Sequence, residues 1–115
     1  MSEVVLYHNP RCSKSRAALA LLEENGVEPR VIRYLDTPLT ETELKSLAKK
    51  LALGPSHFVR KGEDEYKSMG LSKDSTDEEL FAAMAQHPKL MERPIIERGS
   101  KAVIGRPPEN LLALL

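Results

Sequence analysis

Three short segments at the start of the chain leave few folds open. Val4 to Tyr7 is a continuous apolar run stopped by His8-Asn9-Pro10, the pattern of a buried strand that ends in a turn. From Cys12 to Asn25 the spacing becomes helical. Ala17, Ala18, Leu21 and Leu22 form an apolar face, and Asn25-Gly26 supplies a stop. Strand character returns over Val31 to Leu35 and breaks at Asp36-Thr37-Pro38. Strand, helix and strand in such quick succession make a βαβ unit, which predicts parallel pairing through a right-handed crossover.

A helical stretch follows. Thr40 and Glu43 have capping-box spacing, opening a helix to about Leu51 with Leu44, Leu47, Ala48 and Leu51 on one face. Gly54-Pro55 starts a turn, and the chain to Leu71 reads as short helices and loops. A second capping box, Thr76 with Glu79, starts a helix with Leu80, Ala83 and Met84 inward, ended by His87-Pro88. After Arg93-Pro94, Ile95-Ile96 and Ala102 to Ile104 flank Gly99-Ser100, which reads as an antiparallel hairpin. Arg106-Pro107-Pro108-Glu109 opens a C-terminal helix, whose Leu111, Leu112, Leu114 and Leu115 read as core packing. The order βαβ, helices, ββα predicts an α/β thioredoxin-like fold: a mixed sheet with a helical insertion between its halves, in one domain over residues 1–115.

Composition narrows the partners. Seventeen basic residues balance seventeen acidic ones, which disfavours nucleic acid and anionic membrane, since both select a basic face. No apolar run reaches the length of a membrane span, and the first residues lack a signal-peptide pattern. The single cysteine excludes an intramolecular disulfide and suits a reducing compartment, so the cytoplasm is expected; a monomer is the expected state.

That cysteine stands where chemistry is favoured. Cys12 follows the first strand by a short loop and opens the first helix, facing N–H groups with no intrahelical partner and the positive end of the helix dipole. Both stabilise thiolate and make the helix end an anion cradle. His8, Arg11, Lys14 and Arg16 lie within four positions, and cationic neighbours draw an anionic substrate. Ser15, one helical turn on, can aim its hydroxyl at the sulfur. Cys12-Ser13-Lys14-Ser15 is a Cys-x-x-Cys motif whose resolving cysteine is serine, so an external thiol must complete any redox cycle. A lone cysteine is otherwise a small buried hydrophobe; position and charge argue against that here. Zinc is not expected, because one cysteine and three scattered histidines give no ligand pair. Ala18 stands where a phosphatase loop needs arginine. Arg30, Arg33 and Arg98 read as solvated surface, and His57 and His87 as structural or exposed.

His8-Asn9-Pro10-Arg11-Cys12-Ser13-Lys14-Ser15-Arg16 resembles the signature of the glutaredoxin-dependent arsenate reductase family. Phe58-Val59-Arg60-Lys61, the stretch from Gln86-His87-Pro88 to Arg93-Pro94-Ile95, and Gly105-Arg106-Pro107 match in order and spacing, so the resemblance covers the whole chain. It implies a thioredoxin-like fold and a nucleophilic Cys12. It also implies oxyanion-holding arginines at Arg60, Arg93 and Arg106, a thiolate-tuning His8, a Ser15 that hydrogen-bonds the sulfur, and a cis-proline at Pro94. Arg11 and Lys14 depart from the small residues found there in well-studied members.

The activity so implied is reduction of arsenate to arsenite through a Cys12 thiol–arsenate adduct. Glutathione is the co-substrate, glutaredoxin the partner, and no bound cofactor is expected. Arginine suits the task because its planar fork binds oxyanions bidentately and never deprotonates. Two other readings stand beside it. One is a thiol-dependent reductase of other oxidised substrates. The other is a thioredoxin-like binding protein that regulates transcription, which the serine at position 15 disfavours, since such relatives use a Cys-x-x-Cys switch.

Overall fold

The strand β1 (Val4–Tyr7) is buried along its whole length, and the sheet is assembled on it. In this computed structural model, which describes residues 3–115, β2 (Arg30–Ile32) pairs parallel to β1, with Leu6 opposite Val31. On the other side β3 (Ile95–Arg98) runs antiparallel, with Leu6 opposite Ile96, and β4 (Lys101–Ile104) extends the hairpin. The sheet order is β2-β1-β3-β4. The crossover from β1 to β2 is the helix α1 (Ser13–Glu24). This mixed α/β arrangement is the thioredoxin-like one expected from the sequence.

The chain divides into two compact units. The first runs to Thr37 and resumes at Arg93–Leu115; the second is Pro38–Glu92. In the first, Val4, Leu6, Ala18, Leu22, Ile96 and Leu111 form a buried cluster, edged by Leu19, Leu21, Val27, Val103 and Leu114. Burying one such side chain contributes about 1.5–3 kcal/mol, so strand, helix and hairpin are tied together by the residues that alternate inward.

The second unit is helical. In α2 (Glu41–Leu51), Thr40 Oγ1 accepts the Glu43 N–H and Glu43 Oε1 accepts the Thr40 N–H, and Leu44, Leu47, Ala48 and Leu51 are buried. A short α3 (Asp64–Ser68) follows. Then α4 (Asp77–Gln86) opens on the reciprocal Thr76–Glu79 pair and buries Leu80, Phe81, Ala83 and Met84. Both boxes satisfy two otherwise orphaned N–H groups apiece.

Several details differ from the sequence reading, among them Ala17, which is exposed and not on the buried face of α1. β2 ends at Ile32 rather than Leu35, because β1 has no backbone left to pair with. The His8 N–H takes the Ile32 carbonyl at 2.8 Å, and the chain then turns through Arg33–Asp36. The C-terminal segment Pro108–Leu114 is a 3₁₀ helix rather than an α-helix, with Pro107 and Pro108 at its start. Finally, Leu111 is fully buried but Leu112 and Leu115 are exposed, so the terminal leucines pack on one face only.

Candidate active site

Cys12 is the N-cap of α1, in extended conformation and 9% exposed. The loop that delivers it is braced from inside. Asn9 Oδ1 accepts the Arg11 N–H at 3.0 Å, the Cys12 N–H donates to the Asn9 carbonyl at 3.0 Å, and Ser15 Oγ accepts the Asn9 N–H at 3.1 Å. Asn9 thus forms an Asx-turn, a role that the Asn-Pro step signalled but that the sequence reading left unused.

The three long helices of the two units start differently. α2 and α4 begin with a threonine cap and carry Glu41 and Glu43, or Asp77, Glu78 and Glu79, in the first turn. α1 has neither a side-chain cap bond nor an acidic residue in its first turn. Where the other two meet their dipoles with carboxylates, α1 presents Cys12.

A distant arginine reaches the same sulfur. Arg106 Nη2 lies 3.7 Å from Cys12 Sγ, and Arg106 Nε donates to the Arg93 carbonyl at 2.6 Å. The guanidinium is held at one nitrogen and faces the sulfur with another. Arg93 and Arg106 occupy matching places, since each precedes a proline in a cis peptide bond, Pro94 and Pro107. The first was expected from the family resemblance; the second was not anticipated. The two are joined through Gly105, whose N–H donates to the Pro94 carbonyl at 2.8 Å. A Cβ at Gly105 would stand 2.9 Å from Pro94 Cγ and 3.0 Å from Ile96 Cδ1, so only glycine allows this approach.

His8 and Ser15 behave differently from expectation. His8 is 6% exposed, and burial, with the Arg33 charge second, holds its pKa below the usual histidine range. It is therefore neutral near pH 7 and is no part of the cationic surroundings of Cys12. Its Nδ1 is buried without a hydrogen-bond partner among the described residues. Ser15 is fully buried, and among the described residues its hydroxyl is engaged by the Asn9 N–H rather than the sulfur. Geometry explains this: the loop folds back over the first turn, and the Asn9 N–H needs an acceptor.

Arg60 belongs to the second unit. There Val59 bridges Met91, the Arg60 N–H donates to the Leu90 carbonyl at 2.6 Å, and the Glu92 N–H donates to the Phe58 carbonyl at 2.8 Å. Its guanidinium has two carboxylates near it, Glu63 and Glu92, neither of which the sequence singled out. Cys12, His8, Ser15, Arg93 and Arg106 thus lie in the first unit, with Arg106 brought against the sulfur, and Arg60 lies in the second. Among the described residues no group of three or more His, Cys, Asp or Glu side chains is arranged to hold a metal ion. Nor is any helix there long and apolar enough to cross a membrane.

Fold and site define a class: thioredoxin-like α/β proteins that carry one thiol at the start of α1, have no second cysteine, and face that thiol with arginine. More narrowly, the chain belongs to the ArsC family, whose model matches residues 7–114. An arsenate reductase of Neisseria meningitidis serogroup A is 49% identical over 117 residues, covering both chains completely. The Escherichia coli K12 protein YfgD, described as uncharacterized, is 50% identical, covering 98% of this chain and 97% of its own. The solved structure of an arsenate reductase from Vibrio cholerae superposes with a TM-score of 0.95 at 49% identity, covering 99% of this chain and 98% of that one.

Proposed function

We propose that the protein is an arsenate reductase that uses Cys12 as nucleophile and draws its electrons from glutathione and glutaredoxin in the cytoplasm. The observation that carries this reading is the Cys12–Arg106 pair: a sulfur at an uncapped helix N-terminus, met by a guanidinium nitrogen at 3.7 Å. The names of the relatives support the choice of oxyanion.

Arsenate is an anion, and thiolate attack on it is repulsive unless the oxygens are neutralised. In this reading Arg60, Arg93 and Arg106 hold the oxygens and leave the arsenic open to the sulfur. Cys12 forms a sulfur–arsenic bond while one arsenate oxygen departs as water, and arsenic remains pentavalent. Glutathione adds its sulfur, and a Cys12–glutathione disulfide forms as two electrons pass to arsenic, which leaves as arsenite. Glutaredoxin then takes the glutathione from Cys12 by thiol–disulfide exchange and regenerates the thiol. Charge moving onto the departing oxygen meets donors already in place, which is where preorganised arginines lower the barrier.

Neutral His8 fits a packing and positioning role beside the loop, and Ser15 acts through Asn9 to fix the loop that carries Cys12. The test is arsenite production from arsenate with glutathione and glutaredoxin supplied, comparing the wild type with Cys12→Ser. Loss of turnover is expected; unchanged arsenite formation in the variant overturns the mechanism.

A further inference from the structure

Arg60 carries its own counter-charge. Glu63 Oε1 lies 3.5 Å from Arg60 Nη1, and Glu92 Oε1 lies 3.9 Å from Nε, with all three side chains about one-quarter to one-third exposed. Each acid is fixed by a different device. The Glu63 N–H closes a turn onto the Arg60 carbonyl at 3.4 Å, which sets Glu63 three residues on and beside the guanidinium. Glu92 is set by the bridge of Val59 to Met91, because Arg60 follows Val59 and Glu92 follows Met91.

At these distances the carboxylates lower the positive potential without engaging its donors. Arg60 Nη1 is buried and hydrogen-bonded to nothing among the described residues. A buried donor without an acceptor is unfavourable, so the N–H is available to an incoming oxygen. The arginine and its two acids together carry a formal charge of −1, so an oxygen that reaches Nη1 meets a donor whose own positive charge is offset locally.

We propose that Glu63 and Glu92 are affinity-setting residues for the oxyanion: they attenuate the charge of Arg60 and so keep ground-state binding loose and exchange fast. Uniform tight binding of an oxyanion lowers KM without helping the chemical step, and attenuation avoids that. This inference rests on the reading that Arg60 is an oxyanion ligand.

The test uses sulfate, a dianion that undergoes no reduction here, so the measurement does not depend on turnover. Sulfate affinity is measured by calorimetry, and KM for arsenate in parallel, for the wild type, Glu63→Gln, Glu92→Gln, the double variant and Arg60→Ala. Glutamine keeps the size and an acceptor oxygen but removes the charge. Each single glutamine variant is expected to tighten sulfate and lower KM about threefold, within the range for partly exposed ion pairs. The double variant should tighten it about tenfold, with the gain shrinking as salt is added. Arg60→Ala should weaken both. If Arg60→Ala weakens binding but the glutamine variants do not tighten it, the attenuation is overturned and the function stands. If Arg60→Ala changes neither quantity, the place of Arg60 in the site falls, and the inference with it.

Discussion

Arg106 and Cys12 are separated by ninety-four positions in the chain and by 3.7 Å in space, measured from Nη2 to Sγ. The sulfur is brought there by the Asn9–Ser15 bracing of the loop before α1, and the guanidinium by its bond to the Arg93 carbonyl. A nucleophile and a cation from opposite ends of the chain thus meet because β1 and β3 are neighbours in the sheet.

Arg106 is the arginine whose loss should be felt most directly at the sulfur. Arg106→Ala is expected to lower kcat/KM for arsenate about a hundredfold or more, the scale for removing one donor to a developing charge. Arg106→Lys should recover little of it. An ammonium is a point donor and cannot span the Arg93 carbonyl and the sulfur as the planar fork does. Steady-state kinetics on the two variants checks this, and recovery by lysine to within a few-fold of wild type would show that charge alone suffices.

Gly105 controls how closely the two cis-proline segments approach. In Gly105→Ala the new Cβ meets a rigid proline ring at 2.9 Å and the Ile96 side chain at 3.0 Å. Neither can turn away without disturbing β3, so the strain should cost about 1–3 kcal/mol. Arg93 and Arg106 flank the displaced residues, so activity should fall as well. Denaturant unfolding measures the first effect and arsenate kinetics the second; unchanged stability would mean the strands separate more readily than their burial suggests.

The fold was legible where the signal is local. Two Thr–Glu pairs at capping-box spacing marked the starts of α2 and α4, and both boxes form in full. The apolar run at Val4–Tyr7 marked a strand buried end to end. What depends on register or on distant backbone was not legible. β2 stops early because its partner ends, and Ser15 turns to Asn9 because a loop folds over it. The neutral state of His8 depends on burial that no residue type announces. For the site, Cys12 could be argued from position and charge, whereas Arg60, Arg93 and Arg106 came from resemblance. The acids beside Arg60 looked like ordinary surface glutamates, because only the bridge of Val59 to Met91 brings Glu92 alongside.

His8 should make the fold sensitive to mild acid. Its pKa is lowered in the folded state, by burial first and by Arg33 second. The unfolded chain therefore binds a proton more readily than the folded one as the pH falls through about 6.5. Stability must decrease with falling pH from there until the lower folded pKa is passed, where the loss levels off. Thermal unfolding between about pH 7.5 and 5 should show a drop in Tm that is smaller in His8→Asn, which cannot titrate. His57 and His87 are common to both proteins, so the difference between the two curves belongs to His8. Parallel curves would show that His8 does not resist protonation.

Ser15 provides the last test, because it separates a residue that touches the sulfur from one that shapes the loop. Its hydroxyl accepts the Asn9 N–H from a fully buried position, and Asn9 in turn accepts from Arg11 and Cys12. Removing the hydroxyl in Ser15→Ala leaves the Asn9 N–H without its acceptor, at a cost of about 1–2 kcal/mol. The loss is confined to the loop, so hydrogen exchange at the Asn9 amide should accelerate about tenfold or more, while amides in the middle of β3 follow only the change in global stability. Reactivity of Cys12 should become more heterogeneous as the loop loosens, read as a departure from single-exponential alkylation. An unchanged Asn9 exchange rate would remove Ser15 from the bracing and return it to a direct role at the thiol.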